Sequence, residues 1–256
     1  RPKFYTMSDT RRRLSVLNTR PAEDADELSS ALFELGFEVI SEPLLTVRYS
    51  DTEPPSLDPY RAVVFTSRNG VRAFARASEE RNALVFAVGD ATSREAQTIG
   101  FKDVRSAAGN VEKLVRLIAC QLEPYAGSVL HVSATVSAGD LASRLNAVGF
   151  DVDKTVLYET KSSEQLSTRT ISLFKNKMLD VVVLFSPRTA RTFVGLLKQS
   201  EMLDVFSRLV VVCLSEAVAA ELGKITGDRV LTATEPTLES MLQVFRNIEV
   251  GDLENG

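Results

Sequence analysis

The sequence predicts an α/β protein in which parallel strands are covered by helices and one α/β unit is present twice. Three observations carry this. Short β-branched apolar runs alternate with stretches of helical periodicity. Glycines stand where those helices should end. Four blocks of the first half recur, in the same order, in the second.

The strand candidates are residues 14–18, 62–66, 83–89, 128–133, 180–186 and 208–215. Each is apolar almost throughout, which suits a strand buried on both faces of a parallel sheet rather than one with a wet face. Between them, Ala25, Leu28, Ala31, Leu32 and Leu35 repeat at helical spacing, as do Val111, Leu114, Val115, Ile118 and Leu122, and again Leu238, Met241, Leu242 and Phe245. Gly36, Gly100, Gly149 and Gly223 or Gly227 close helices. Strands alternating with helices imply parallel sheets with both faces covered. A chain of 256 residues forms one large domain or two compact ones.

The internal repeat decides for two. Leu28-Ser-Ser-Ala-Leu-Phe-Glu-Leu-Gly36-Phe37 matches Leu141-Ala-Ser-Arg-Leu-Asn-Ala-Val-Gly149-Phe150. Ala62-Val-Val-Phe-Thr-Ser67 matches Val181-Val-Val-Leu-Phe-Ser186, Gly89-Asp-Ala-Thr92 matches Ser215-Glu-Ala-Val218, and Asn110–Leu114 matches Pro236–Ser240. A period this long means two similar domains rather than a solenoid. Residues 38–49 form an extended run broken by Pro43, and their repeat mate is the run 151–161. Pro54, Pro55 and Pro59 exclude a central strand from the segment that follows the first. Two matching extended segments, each in the middle of its half, predict that the chain crosses between the domains twice.

Composition removes several functions. With 30 Lys+Arg against 34 Asp+Glu the chain carries a net charge of −4, which argues against a nucleic-acid binder. Cys120, Cys213 and the single histidine, His131, are scattered, whereas a structural zinc needs about four such ligands. The lone histidine also removes most triad chemistry. His131 follows Val129-Leu130 in a strand-like run and reads as a buried, satisfied histidine sooner than as a base. The longest apolar runs, 181–185 and 209–214, are too short to span a bilayer, so no membrane partner is expected. Few cysteines in apolar settings fit a reducing cytoplasm. Residues 1–13 carry Arg1, Lys3, Arg11, Arg12 and Arg13 without an apolar segment. They read as a flexible basic arm or an expression remnant, with a processed transit peptide as the alternative.

Seven blocks stand in an informative order. They are Thr19-Arg20-Pro21, Phe65-Thr66-Ser67, Val88-Gly89-Asp90-Ala91-Thr92, Ala108-Gly109-Asn110-Val111-Glu112-Lys113-Leu114, Val156-Leu157-Tyr158-Glu159-Thr160, Phe185-Ser186-Pro187 and Glu235-Pro236-Thr237. The ordered set resembles the uroporphyrinogen-III synthase family over about residues 14–245. The resemblance implies two α/β domains joined by a two-stranded ladder, with the active site in the cleft between them. The first domain would comprise 14–41 plus 162–256, and the second the inserted residues 42–161. It implies a lyase that needs no cofactor and no metal. That enzyme removes the terminal hydroxyl of hydroxymethylbilane, inverts the last pyrrole ring and closes the macrocycle, in heme biosynthesis. A monomer is expected, with transient contacts to neighbouring pathway enzymes left open.

The substrate's many carboxylates would need donors, and helix N-termini supply them even in an acidic protein. Substrate binding is therefore expected at Arg20, Ser67, Arg68, Thr92, Asn110, Ser186, Arg188 and Thr237. Ser67, Thr92 and Ser186 suit both helix capping and carboxylate binding. The arginines could pair bidentately with carboxylates or be ordinary surface residues. Tyr158 matches the family's tyrosine, and its phenol, protonated at neutral pH, could donate to the departing hydroxyl, which makes it the expected catalytic residue. Three features depart from the family: Ser215…Val218 replaces a Gly…Thr pair, the run 132–139 differs from the corresponding turn, and the N-terminal arm has no counterpart. Duplicated lobes with two crossings also describe a non-catalytic two-lobed small-molecule sensor. A nucleotide-binding module is disfavoured, since neither G-x-G-x-x-G nor G-x-x-x-x-G-K-[ST] occurs.

Overall fold

The structure is a computed structural model, and it describes residues 12–136, 140–223 and 229–248. Most of the basic arm, residues 137–139 of the turn after the fourth candidate strand, and Gly227 lie outside the described residues. The chain divides into two compact units, Arg1–Thr46 with Ser162–Gly256 and Val47–Lys161.

The first unit opens with strand β1 (Ser15–Asn18), helix α1 (Ala22–Glu34) and strand β2 (Glu38–Ser41). The chain then passes through β3 (Leu45–Tyr49) into the second unit. There it forms β4 (Ala62–Phe65), α2 (Arg68–Ala77), β5 (Leu84–Ala87), α3 (Asp90–Thr98), β6 (Asp103–Ser106), α4 (Val111–Gln121), β7 (Val129–Ala134), α5 (Leu141–Asn146) and β8 (Val152–Ser162). The first unit resumes with α6 (Thr168–Lys175), β9 (Val181–Leu184), α7 (Pro187–Gln199), a 3-10 turn (Leu203–Ser207), β10 (Val210–Cys213), α8 (Glu216–Ala220), β11 (Val230–Thr232) and α9 (Leu238–Arg246).

The sheet of the first unit has the order β11-β10-β9-β1-β2 and that of the second β3-β8-β7-β4-β5-β6. In the first, β1 pairs in parallel with β2 (Val16 opposite Val39) and with β9 (Leu17 opposite Val182). In the second, β4 pairs in parallel with β5 (Val64 opposite Phe86) and with β7 (Val64 opposite His131). All six strands read from continuous apolar runs are present, because each lies inside its sheet and is buried on both faces. The edge strands β6 and β11 gave no such signal. Asp103–Ser106 carries two charges and Val230–Thr232 is three residues long, as befits edges that must not template further pairing.

Each sheet is covered on both sides. In the first unit Leu17, Val182, Leu184 and Val211 pack with Phe174, Phe193 and Phe206, while Val16, Val181, Val183 and Val212 face Leu28, Leu32, Met241 and Phe245. In the second, Val63, Phe65, Val85 and Val132 meet Val71, Phe74 and Phe101, and Ala62, Val64, Phe86 and Val129 meet Leu114, Ile118 and Leu145. Residues 42–44 stay with the first unit. The Glu42 carboxylate, 6% exposed, accepts from the Ser167 N–H at 2.9 Å and from the hydroxyls of Ser167 and Thr170, and the Leu44 carbonyl accepts from the Ser163 N–H.

The repeat mates Gly36 and Gly149 end their helices alike, at φ 91° and 89°. After each, a buried phenylalanine sends its N–H back five residues, Phe37 to the Leu32 carbonyl and Phe150 to the Leu145 carbonyl. A positive φ at this position is what glycine permits at least cost.

Candidate functional site

In an open parallel sheet, ligands collect beyond the carboxyl ends of the strands, where the strand order reverses. In the second unit that point lies between β4 and β7, since α2 leads from β4 toward β5 while α5 leads from β7 toward β8. Ser67 stands there. It caps α2 in an extended conformation and accepts the Gly70 N–H at 3.1 Å. Its hydroxyl also meets the Tyr158 hydroxyl at 2.7 Å.

A bulge delivers Tyr158 to this place. The pairing of β7 with β8 runs Val132 with Thr155 and Ser133 with Val156, then skips Leu157 so that Ala134 faces Tyr158. Regular alternation would put Tyr158 on the face of Val156, which is 38% exposed. With one residue skipped, Leu157 and Tyr158 are both buried in the core beneath α2. The ring lies against Gly70: a Cβ added there would stand 3.7 Å from Tyr158 Cε1 and 3.3 Å from the Val132 carbonyl oxygen. Burial pushes the Tyr158 phenol above its ordinary pKa, and the hydrogen bond with Ser67 pulls part of the way back. The phenol is thus neutral, protonated and fixed. The sequence pattern does not single out Gly70, although a glycine in the first turn of a helix, three residues after its capping serine, permits close approach.

His131 lies in the same sheet, 4% exposed, with Nε2 3.4 Å from the Thr66 hydroxyl. Burial, helped by Lys154 on the neighbouring strand, pulls its pKa down to about 4, so it stays neutral, as the reading of it as a buried histidine requires. The remaining expected positions of this unit are spread over other turns. Arg68 is the first residue of α2 and half-buried. Asn110 is exposed and caps α4, accepting the Lys113 N–H at 3.1 Å. Thr92 is not a cap. Gly89 takes the cap position of α3, and Thr92 sits one turn in with 6% exposure, because the helix begins at Asp90.

In the first unit the strand order reverses between β1 and β9. Arg20 follows β1, and its guanidinium carbon lies 4.3 Å from the centre of the Phe185 ring, which follows β9. The next residue, Ser186, caps α7 by accepting the Thr189 N–H at 3.1 Å, with Pro187 as the first helical residue. Arg188 is half-buried, its Nε 3.4 Å from the Ser162 hydroxyl. Thr237, exposed, caps α9 by accepting the Ser240 N–H. The structure thus brings together Arg20 with Phe185 beside Ser186 in one unit, and Ser67 with Tyr158 in the other.

Chemically, the turns offer backbone N–H groups, hydroxyls and guanidinium groups suited to anions, and one phenol suited to proton donation. Among the described residues no group of three or more His, Cys, Asp or Glu side chains could hold a metal ion. No described helix is long and apolar enough to cross a membrane.

Fold and turns together define a doubly wound α/β protein with a serine-capped helix at the switch point of each sheet. Two solved structures share the fold. Uroporphyrinogen-III synthetase from Helicobacter pylori is 18% identical, with 91% of this chain and 98% of that one covered and a TM-score of 0.61. A mutant uroporphyrinogen III synthase from the extremely thermophilic bacterium Thermus thermophilus is 16% identical, with 91% and 97% covered and a TM-score of 0.55. No curated protein matches the chain in sequence. The family model of uroporphyrinogen-III synthase HemD matches residues 26–243. The chain belongs to the uroporphyrinogen-III synthase family, enzymes of tetrapyrrole and heme biosynthesis.

Proposed function

We propose that the chain acts as a cyclising hydro-lyase on hydroxymethylbilane, with Tyr158 as the catalytic proton donor. The observation that carries this is the pairing of the buried Tyr158 phenol with Ser67 at the switch point of its sheet. Cyclisation of the linear substrate also occurs without a protein, to the type I isomer. The enzyme's main task is therefore to hold the two reactive ends in a geometry that solution does not favour. Proton donation to the departing hydroxyl adds a further factor, about 10²–10⁴ in rate.

The substrate's carboxylates are held by Arg20, Ser186, Arg188 and Thr237 in the first unit and by Arg68, Thr92, Asn110 and the backbone N–H groups of the turn headed by Ser67 in the second, the Ser67 hydroxyl itself being engaged with Tyr158. Four of these residues head helices, where the partial positive charge of the first turn favours anions. Arg20, stacked on Phe185, is preorganised for a carboxylate. The same reading has a monomer at work in the cytoplasm, without a cofactor. It also has the two units as copies of one ancestor. Supporting that, β7, β8, β4, β5 and β6 occupy the sheet positions that β1, β2, β9, β10 and β11 occupy in the other, and Ser67 and Ser186 cap equivalent helices.

Incubation with enzymatically generated hydroxymethylbilane tests the proposal. Formation of the type III isomer supports it. Type I product alone, at the spontaneous rate, would show a binding protein instead.

A further inference from the structure

We infer that Ser67 is a positioning residue that acts through Tyr158: its hydroxyl donates to the phenol oxygen and so leaves the phenol's own proton for the departing hydroxyl of the substrate. This rests on the proposed role of Tyr158 and deepens it.

A serine oxygen has one hydrogen and two lone pairs. The Gly70 N–H occupies one lone pair of Ser67 at 3.1 Å, which anchors the oxygen on the first turn of α2. The Tyr158 hydroxyl stands 2.7 Å away, and a single contact holds a single proton. Either the phenol donates and the serine hydrogen turns outward, or the serine donates and the phenol hydrogen turns outward. In both arrangements the pair offers one O–H to a ligand. A phenol is a far stronger acid than an alkanol, so a departing oxygen selects the second arrangement.

The same contact serves after the proton has moved. The C–O bond of the hydroxymethyl group breaks with its electron pair on oxygen, that oxygen takes the phenol proton, and water leaves. The positive charge on the methylene carbon is shared with its pyrrole nitrogen, and Tyr158 is left as a phenolate. Tyr158 is 7% exposed, so its phenolate depends on protein donors. The Ser67 O–H is one, and the positive end of the ten-residue α2 lies behind it. Burial raises the phenol's pKa while Ser67 lowers it, in keeping with a donor placed to receive negative charge. Ring closure later expels a proton from the attacked pyrrole carbon, which restores the phenol and closes the proton balance.

The test measures kcat and KM for type III formation, together with thermal unfolding, in Ser67→Ala, Ser67→Gly, Ser67→Thr, Tyr158→Phe and the double variant Ser67→Ala/Tyr158→Phe. Ser67→Gly guards against loss of the helix, since glycine caps almost as well as serine. The expected result is a kcat about tenfold or more lower in Ser67→Ala and Ser67→Gly, KM within about twofold, and recovery in Ser67→Thr. In the Tyr158→Phe background, Ser67→Ala should add no further loss of kcat. The same fold-loss in both backgrounds, or a change in KM alone, overturns the inference and leaves Tyr158 as the donor. Normal turnover in Tyr158→Phe overturns the role of Tyr158 and this inference with it.

Discussion

His131 makes the stability of this protein depend on acid in a way that one substitution can isolate. Its pKa falls from 6.5 to about 4 on folding, chiefly through burial, and it is 4% exposed. Between those values the unfolded chain binds a proton that the folded chain refuses, so stability is lost as pH falls through this window. At about 1.4 kcal/mol for each pH unit the full effect is about 3 kcal/mol, with about 2 kcal/mol already lost at pH 5. His131→Gln keeps a polar side chain near Thr66 but cannot titrate. Urea unfolding of both proteins at several values between pH 7 and pH 4.5 gives the difference directly, because carboxylates common to both cancel. The wild-type curve should drop below that of the variant by about 2 kcal/mol at pH 5 relative to their offset at pH 7. Parallel curves would refute the reasoning, since they would mean that water or relaxation lets the imidazole charge inside the fold.

Tyr158→Phe keeps the ring against Gly70 and deletes one buried hydrogen bond, so stability should fall by only about 1 kcal/mol while type III formation falls steeply in a coupled assay. Ser186→Ala removes the acceptor of the Thr189 N–H and should lower stability by about 1 kcal/mol, with weaker substrate binding read as a raised KM. The repeat mates Gly36 and Gly149 separate backbone strain from crowding. Gly36→Ala meets nothing within 4 Å and should cost about 1 kcal/mol, whereas the new Cβ of Gly149→Ala falls 2.9 Å from Pro124 Cβ and should cost more, as differential denaturation would show.

Much of this protein was legible in the chain. Continuous valine-rich runs such as Val181–Leu184 have one use in a globular protein, the middle of a covered parallel sheet, so the interior strands and the fold class followed from composition and period. Gly36 and Gly149 could be placed because a helix end that needs positive φ selects glycine, and Ser67 and Ser186 because a cap needs a short acceptor, whereas the capping roles of Asn110 and Thr237 emerge only in the structure. These are local requirements, and local sequence satisfies them. Short edge strands such as Asp103–Ser106 escaped, since an edge is held by one neighbour and avoids the apolar run that reveals a centre. Thr92 resembles a cap in the sequence, but Gly89, three residues earlier, fills that position without a side chain to announce it. The functional pairings needed the tertiary structure. Nothing in Val156-Leu157-Tyr158 says that Leu157 is skipped, yet that skip decides whether Tyr158 shares the face of exposed Val156 or the buried side beneath α2. Ser67 and Tyr158 are ninety-one positions apart, as Arg20 and Phe185 are far apart in their unit, and only the order of strands in each sheet brings them together. Sequence determines what a segment can be, because propensity and capping act over a few residues. Which side chains meet is decided by register and strand order, which belong to the sheet as a whole.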